Sequence, residues 1–340
     1  MPKPDHKASR GAATDTARFS PQLMHAAASL YYVQEATQSE VADRLGTSRA
    51  TVSRLLAEAR RLGIVRIEVI EPRETADSTL ADRTAQSLNI DVVHLSAFMT
   101  NAPIGASLAP ALSTALNGVG LVAGDVLLVS SGRTVYEAAQ AELPQLPGVL
   151  VVPTTGGQDE PEPWYQTNEI TRQIAQRVSG TPVFLYAPAL PGPDLYDILI
   201  NEPSIRRVLE LWENARCAVL GLGAPLLLRE SIPRFVPTDA VSLRAAVGDI
   251  CSRFYDRDGA TVPFPGLERL VATPVEMLKR IPVSVAVAVG YTKVPGIVAG
   301  ARGGYFNHLV TDAPTAAAIL DYVADEADAL GRTHRGAEST

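Results

Sequence analysis

The sequence predicts two domains of different class, a small all-α helix-turn-helix domain followed by a larger α/β domain with a mainly parallel sheet. The first prediction rests on two short amphipathic helices joined by a glycine within residues 37–66, TQSEVADRLGTSRATVSRLLAEARRLGIVR. The second rests on apolar runs that alternate with helical stretches from residue 92 onward. Runs without polar alternation are typical of strands buried on both faces, so we expect a Rossmann-like arrangement.

Composition is that of a globular protein, with 340 residues, 46% hydrophobic and 20% charged. We find no apolar stretch long enough for a membrane span and no signal-peptide core, and we expect a cytoplasmic location. Cys217 and Cys251 lie in or beside apolar runs without metal-ligand spacing, which predicts buried free thiols. We therefore expect no metal site and no cofactor.

The helix-turn-helix begins with a capping box, because Thr37 is followed three residues later by Glu40. The first helix starts near Gln38 and ends before Gly46, a residue that adopts left-handed backbone readily. Ser48 is the expected N-cap of the second helix. A preceding helix over residues 20–35 would close the core of this domain.

The second helix has one buried stripe, formed by Val52, Leu55, Leu56 and Ala59 at a 3.6-residue period. The opposite face then carries groups that can donate hydrogen bonds to base edges and phosphates. Together with Gln38, the candidate DNA contacts are Ser48, Arg49, Thr51, Ser53 and Arg54. The alternative is a solvated helical hairpin whose arginines only maintain solubility.

The distribution of charge favours DNA binding by this end of the chain. Residues 1–66 hold ten Lys or Arg and six Asp or Glu, whereas the rest of the chain holds 20 and 31. Local positive charge on an otherwise acidic protein is sufficient for contact with phosphates. We therefore expect double-stranded DNA as one partner.

Two segments join the predicted domains. Residues 64–70 are β-like and could form a wing or the start of a linker, and the sequence does not choose between them. Residues 74–89 form a helix with Leu80, Thr84 and Leu88 at helical spacing. This helix could pair with its copy in another subunit or serve as a simple strut.

Six apolar runs predict the strands of the second domain. They are VVHLS (92–96), VLLVS (126–130), VLVVP (149–153), VFLYA (183–187), CAVLGL (217–222) and VSVAVAV (283–289). Because parallel sheets bind ligands beyond the carboxyl ends of their strands, the residues after each run are candidates.

The segments after two of these runs offer anion-binding groups. A turn into a helix contains Ser131, Gly132, Arg133 and Thr134, and the next run is followed by Thr154, Thr155, Gly156, Gly157 and Gln158. Free amides, hydroxyls and a guanidinium can hold a phosphate, although glycine in such a turn is often only a turn residue.

Lys293 and Asp249 complete the candidate site. The chain contains four lysines, and Lys293 lies directly after a predicted strand, which favours a ligand-facing role over an ordinary surface position. Asp249 is the carboxylate best placed to accept hydrogen bonds from ligand hydroxyls. An ordinary turn or capping aspartate is its equally weighted alternative.

An ordered set of motifs resembles the SorC family of sugar-responsive bacterial transcriptional regulators over nearly the whole chain. The motifs are SEVADRLGTSRATVSRLLAEARRLGIVRIEV, SSGRT, TTGG, NEPSIRRVLELWENARCAVLGLGAP, AVGDICSRFYDRDG and GYTKVPGIVAGARGGYFNHLVTD. The resemblance implies a C-terminal effector domain of the glucosamine-6-phosphate deaminase, ribose-5-phosphate isomerase and CoA-transferase type. It also implies a homotetramer that binds operators as paired dimers.

The same resemblance implies a phosphorylated sugar, or a related metabolite, as the effector. Its phosphate would lie against residues 131–134, near Gly156, Gly157 and Lys293, with Asp249 towards the hydroxyls. Members of this family often have a tryptophan directly before the glycine of the GRT motif, where this chain has Ser131. The loop QDEPEPWY at 158–165 is by default a solvated loop. It could also contribute to selectivity, because its carboxylates and amides suit a polyol better than a second phosphate.

The predicted organisation is a disordered tail (1–18), a helix-turn-helix domain (19–70), a linker helix (71–90), an effector-binding and oligomerisation domain (91–330) and a second disordered tail (331–340). The leading hypothesis is a non-enzymatic DNA-binding regulator of a carbohydrate operon, which a sugar phosphate or polyol-type effector switches. The alternative is a sugar-phosphate isomerase or deaminase with a DNA-binding head, in which Asp249 would serve as the base. The sequence identifies neither the effector nor the direction of regulation.

Overall fold

The structure, a computed structural model, describes residues 19–34, 36–65, 73–97 and 103–337. For residues 33, 73–77 and 330–337 it describes the backbone only. The chain divides into two compact units, residues 1–72 and 73–340. The predicted tail at 1–18 lies outside the described residues. So does most of the 64–70 segment, whose assignment as wing or linker therefore stays open.

The first unit is all α. Helix α1 spans Pro21–Ala28 and continues into one wider π-helical turn, Ser29–Val33. Helices α2, Gln38–Arg44, and α3, Arg49–Arg61, form the helix-turn-helix. The expected additional helix before the motif is thus present.

The predicted capping and turn residues of this unit are confirmed. The Thr37 amide donates to Glu40 Oε2 (2.8 Å) and the Glu40 amide donates to Thr37 Oγ1 (3.3 Å), which completes the capping box. Gly46 has a φ of 62°, in the left-handed region that favours glycine. Ser48 caps α3 by accepting from the Thr51 amide (3.2 Å).

A compact apolar core holds the three helices together. Its members are the predicted stripe of α3, joined by residues of α1 and α2 and by Ala36. The buried set is Met24, Ala27, Ala28, Ala36, Val41, Ala42, Val52, Leu55, Leu56 and Ala59. The exposed face of α3 is fixed by this packing.

The second unit alternates strands and helices. Its first half contains α4 (Arg73–Leu88), β1 (Val92–Ser96), α5 (Ile104–Val119), β2 (Val126–Val129), α6 (Arg133–Ala138), β3 (Leu150–Pro153), α7 (Thr167–Val178), β4 (Thr181–Pro182), α8 (Pro193–Asn201) and α9 (Pro203–Glu213). Its second half contains β5 (Ala215–Gly223), β6 (Gly248–Ile250), β7 (Arg253–Tyr255), α10 (Val275–Leu278), β8 (Val283–Val287), α11 (Val294–Arg302), β9 (His308–Asp312) and α12 (Ala313–Ala337).

Seven of these strands form a parallel sheet in the order β1-β9-β8-β5-β2-β3-β4. Its central register pairs Leu127 of β2 with Val151 of β3 on one side and with Cys217 of β5 on the other. The hairpin β6–β7 continues from the end of β5, where Gly223 pairs with Asp249 in antiparallel fashion. The predicted class, an α/β domain with a mainly parallel sheet, is confirmed.

Helices cover both faces of the sheet, as the absence of polar alternation predicted. Leu127 and Val129 of β2 pack with α5, α6 and α7, whereas Val126 and Leu128 face the layer of α4, α9, α11 and α12. The two cysteines are buried free thiols, and burial raises the pKa of each to about 12. No helix in the described part of the chain is long and apolar enough to span a bilayer.

The strand expected at residues 183–187 is wrong. The edge strand β4 is limited to Thr181–Pro182, and the apolar residues that follow are irregular. Asn168 of α7 donates to the Leu185 carbonyl (3.1 Å) and accepts from the Leu185 amide (3.0 Å). These side-chain bonds satisfy the backbone groups that a strand partner would otherwise use.

Three further elements, β9, α4 and α12, differ from what the sequence predicted. Strand β9 was not among the expected strands, although it lies between β1 and β8 in the sheet. Helix α4 packs on α12 and β1, so the expected linker helix belongs to the second unit. Helix α12 continues to Ala337, within the segment expected to be a tail, because its Ala-rich sequence favours helix.

Candidate functional site

A cavity of about 390 Å³ opens at the carboxyl ends of β2, β5 and β8. Several predicted site residues line it together, although they come from four separate parts of the chain. They are Ser131, Gly132, Arg133, Thr134, Gln158, Asp249 and Lys293. The topology therefore brings most of the predicted site into one place.

The turn between β2 and α6 forms the floor of this cavity. Gly132 has a φ of 121°, and its amide donates to the Trp164 carbonyl (2.8 Å). Ser130 Oγ accepts from the Gly221 amide (2.7 Å) and donates to the Ser131 carbonyl (3.1 Å), which ties the turn to β5. The amides of the first turn of α6 have no partner within that helix, since the first four N–H groups of any helix lack one.

Arg133 is held at the edge of the cavity by an aromatic ring. Its guanidinium carbon lies 4.5 Å from the ring centroid of Trp164, within the range of a cation–π contact. Arg133 Nη1 also lies 3.3 Å from Glu230 Oε2, in an ion pair whose side chains are 51% and 82% exposed. Such an exposed pair is weak, so the guanidinium remains available to an anion.

Lys293 reaches the same turn from the other side. It ends the short 3₁₀ turn Tyr291–Lys293 after β8, and its half-buried side chain donates from Nζ to Thr134 Oγ1 (3.4 Å). Burial lowers the pKa of Lys293 to about 8, as does the positive charge of Arg229, against the opposing effect of Asp249 and Glu137. An anion next to such a buried lysine would stabilise its protonated form.

Asp249 is paired with Arg229, a residue that the sequence analysis did not single out. Their side chains form an ion pair in which each is 14% exposed. Arg229 Nε also donates to the Ala224 carbonyl (2.7 Å), and the guanidinium carbon lies 5.5 Å from the Phe254 ring centroid. A side chain at Gly223 would overlap both charged groups, so glycine is required there.

Gly156 and Gly157 do not line the cavity. The Gly156 amide donates to the Val271 carbonyl (2.9 Å), and the Gly157 amide donates to the Ala187 carbonyl (2.8 Å). A Cβ atom at Gly156 would lie 2.6 Å from the Ala187 carbonyl oxygen. These glycines therefore permit backbone segments to pack closely. Both of their amides already donate to carbonyl groups of the fold and cannot also donate to a phosphate.

Two loops close over the cavity and supply further residues that sequence reasoning missed. Tyr165 Oη lies 2.9 Å from Ser231 Oγ, and Glu160 Oε1 accepts from the Arg234 amide (2.6 Å). Trp164 and Tyr165 belong to the loop at 158–165, which the sequence marked for selectivity without assigning roles within it. Arg229 gave no signal, because it follows an apolar run without a recognisable motif.

The charged groups that line the cavity are three cations and three carboxylates. Arg133 pairs with Glu230 and Arg229 pairs with Asp249. Glu137 accepts from the Gly105 amide (2.8 Å) and thereby anchors the start of α5. Among the described residues, Lys293 is the cation of this cavity that lacks a carboxylate within ion-pair distance.

No histidine is among the described residues that line the cavity. His94 and His308 lie instead on β1 and β9, with Nε2 of one 3.3 Å from Nδ1 of the other. Burial, together with the smaller effect of the neighbouring His308, lowers the pKa of His94 to about 4. The described residues also contain no cluster of three metal-ligating side chains.

The helix-turn-helix presents a polar face on α3. Ser48, Arg49, Ser53 and Arg54 are exposed. Thr51 is half-buried, and its Oγ1 lies 2.9 Å from Ser48 Oγ. Gln38, at the start of α2, is half-buried as well. Arg49 and Arg54, both exposed on α3, are suited to contact with the bases and phosphates of a major groove.

Comparison with known proteins decides the family. Residues 57–321 match the Sugar-bind model of a sugar-binding domain, and residues 28–62 match the model of sigma-70 region 4. The sorbitol operon regulator of Klebsiella pneumoniae is 29% identical, over 86% of this chain and 96% of that protein. The chain belongs to the SorC family of sugar-binding transcriptional regulators. It is accordingly a transcriptional regulator with a helix-turn-helix and a sugar-binding domain.

Other SorC-family relatives cover the chain to a similar extent. The deoxyribonucleoside regulator of Bacillus subtilis is 30% identical, over 89% of this chain and 99% of that protein. Transcriptional regulator LsrR of Escherichia coli K12 is 31% identical, over 85% and 92%. The crystal structure of the full-length sorbitol operon regulator SorC from Klebsiella pneumoniae superposes with a TM-score of 0.65 at 28% identity, covering 88% of this chain and 98% of that one.

Proposed function

We propose that this regulator binds operator DNA through the exposed face of α3, with an affinity that a phosphorylated sugar or related metabolite in the cavity changes. The observation that carries the proposal is Lys293, a half-buried cation without a carboxylate partner among the described residues, directed at Thr134. Burial of an unpaired charge is costly, and an anionic ligand would offset that cost. The target would be an operon of carbohydrate metabolism.

In this proposal the phosphate binds at one end of the cavity. Ser131, Gly132, Arg133 and Thr134 contact it together with Lys293. Asp249 accepts hydrogen bonds from the ligand hydroxyls, and its partner Arg229 orients that carboxylate. Gly156 and Gly157 are left out, since their amides already donate within the fold.

The DNA contacts in this proposal lie on the helix-turn-helix. Arg49 and Arg54 engage base edges or phosphates, and Gln38, Ser48, Thr51 and Ser53 donate further hydrogen bonds. The effector would act on a homo-oligomer, most simply a tetramer that uses pairs of subunits on two-fold operators. A protein whose partner is chromosomal DNA would work in the cytoplasm.

Catalysis is the competing use of the same cavity. Proton transfer needs a free acid or base, yet Asp249 is already paired with Arg229 and the described lining residues include no histidine. These features support binding without turnover. Conversion of ribose 5-phosphate or glucosamine 6-phosphate by the purified protein, lost in Asp249→Ala, would favour the enzyme instead.

Thermal shift of the full chain tests the effector class. A ligand that binds the folded state raises Tm, so we expect sugar or polyol phosphates to raise it more than the corresponding free sugars. The shift should disappear in Arg133→Ala and Lys293→Ala. Lys279→Ala is the matched control, because Lys279 pairs with Glu276 outside the cavity and should leave the shift intact. Equal shifts from free and phosphorylated compounds would reject the phosphate site.

A further inference from the structure

Gln158 lines the cavity and has a buried side-chain oxygen without a hydrogen-bond partner. It follows β3, lines the cavity and is 7% exposed. Its Nε2 donates to Ser131 Oγ (3.1 Å), which fixes the orientation of the amide. Its Oε1 is buried, and no described group donates to it. Because a buried acceptor without a partner destabilises a fold, this oxygen is a candidate for a ligand contact.

The Gln158 amide lies near the end of the cavity that would hold the ligand phosphate. Ser131, which holds Nε2, belongs to the segment that would bind the phosphate under the proposed function. Asp249 lies instead on β6, which extends from β5 on the opposite side of β2 from β3. The amide of Gln158 is therefore close to the phosphate end of the cavity, and the carboxylate of Asp249 serves more distant hydroxyls.

We propose that Gln158 is a specificity-determining residue whose Oε1 accepts a hydrogen bond from a free hydroxyl on the ligand carbon next to the phosphorylated carbon. This inference rests on the proposed function, since it requires the phosphate to lie at residues 131–134. A site built to bond a hydroxyl discriminates strongly against a ligand that lacks it.

The proposal narrows the ligand class. In a ring-closed aldose phosphorylated on its terminal exocyclic carbon, the neighbouring carbon carries the ring oxygen, which has no proton to donate. In an alditol phosphate, or in the open-chain form of the same aldose phosphate, that carbon carries a free hydroxyl. Gln158 therefore selects acyclic polyol-like phosphates over ring-closed aldose phosphates of this kind.

Calorimetric titration of the full chain with two matched probes tests this selectivity. Ribitol 5-phosphate has a hydroxyl next to its phosphorylated carbon, and its 4-deoxy analogue lacks only that hydroxyl. We expect the wild type to bind ribitol 5-phosphate about tenfold more tightly than the analogue. Gln158→Met, which keeps the length of the side chain, should bind both probes equally. Gln176→Met on the exposed surface of α7 should keep the tenfold preference.

A second readout separates this role from a structural one. Gln158→Met removes the unpaired Oε1, so Tm of the ligand-free protein should stay the same or rise. If Gln158 served only to support the fold, the same substitution would lower Tm and leave the preference between probes unchanged. That combination would overturn the proposal.

The outcomes also distinguish failure of this inference from failure of the proposed function. If both probes bind equally to the wild type and Lys293→Ala weakens both, the phosphate site stands and the role of Gln158 is rejected. If unphosphorylated ribitol binds as tightly as ribitol 5-phosphate, the phosphate site is rejected, and this inference with it. If neither phosphate binds, the acyclic ligand class is rejected.

Discussion

At the residue scale, the two ion pairs of the cavity differ in how much water surrounds them. Arg229 and Asp249 are each 14% exposed, whereas Arg133 and Glu230 are 51% and 82% exposed. Removal of one partner from a buried pair leaves an uncompensated charge, but removal from an exposed pair leaves a solvated one. The two arginines therefore have different structural importance despite lining the same cavity.

We predict that Arg229→Met lowers the free energy of unfolding by about 3 kcal/mol, because Asp249 would remain buried without its partner. Arg133→Met is the matched control and should lower it by less than about 1 kcal/mol. Urea denaturation of both variants measures the difference. Equal effects of the two substitutions would show that the Arg229–Asp249 pair is as well solvated as the exposed one.

The pKa of Lys293 predicts how ligand affinity changes with pH. Because that pKa is lowered to about 8, the ammonium loses its proton as pH rises through that value, while a phosphate monoester stays dianionic. Affinity for a sugar phosphate should therefore be highest below pH 8 and fall above it. Titrations of wild type and Lys293→Ala over this range check the prediction, and the variant should lack the decline.

The same shift has a consequence for stability, with a defined sign. The unfolded chain keeps this lysine protonated up to its ordinary pKa of 10.5, whereas the folded chain releases the proton near 8. The buried charge therefore destabilises the ligand-free fold below pH 8, and that cost disappears as pH rises towards 10.5.

The Lys293→Ala variant is the control for the affinity prediction. If its affinity for the sugar phosphate still declined above pH 8, a group other than Lys293 would be responsible for the decline.

Sequence reasoning selected some residues that line the cavity and overlooked others, for physical reasons. Lys293 was identifiable because lysine is rare in this chain and follows a strand. Arg229 was not, because only the folding of its loop brings it to Asp249. Gly156 was misassigned, since the sequence does not reveal that its amide donates to Val271 in a distant segment.

At the element scale, α3 carries the DNA-binding prediction. We expect Arg54→Ala to reduce operator-binding free energy by about 1–3 kcal/mol, because Arg54 is exposed on the face opposite the buried stripe. Thermal stability should not change, since the side chain is outside the core. Fluorescence anisotropy with labelled operator DNA measures the effect. Arg177→Ala, at an exposed site on α7, is the control for loss of charge, and an equal effect there would contradict a specific contact.

Element prediction from sequence was accurate where local signals and packing agree. The capping box of Thr37 and Glu40 placed the start of α2, and uniformly apolar runs placed the central strands. It failed for residues 183–187, where Asn168 satisfies the backbone that a strand would use. It also missed β9, because His308, Thr311 and Asp312 leave only two apolar residues in this strand.

At the scale of the whole molecule, α4 determines where the chain can be truncated without loss of stability in the second unit. Thr84 is fully buried, and Ala85 and Leu88 join the core beneath the sheet. Residues 73–340 should therefore fold alone and melt at a higher temperature than residues 90–340, in which that surface is exposed. Calorimetry of the two fragments measures this. Identical values of Tm would mean that α4 does not contribute to the stability of the second unit.

The central claim is that the cavity and the DNA-binding face are thermodynamically coupled. If an effector changes operator affinity by some factor, operator DNA must change effector affinity by the same factor. The direct test titrates full-length protein with an operator selected from random DNA, with and without a saturating sugar or polyol phosphate that raises Tm. We predict a change in operator affinity of about fivefold or more, matched by the reciprocal titration and absent in Lys293→Ala. Equal operator affinity with and without the ligand would contradict the account.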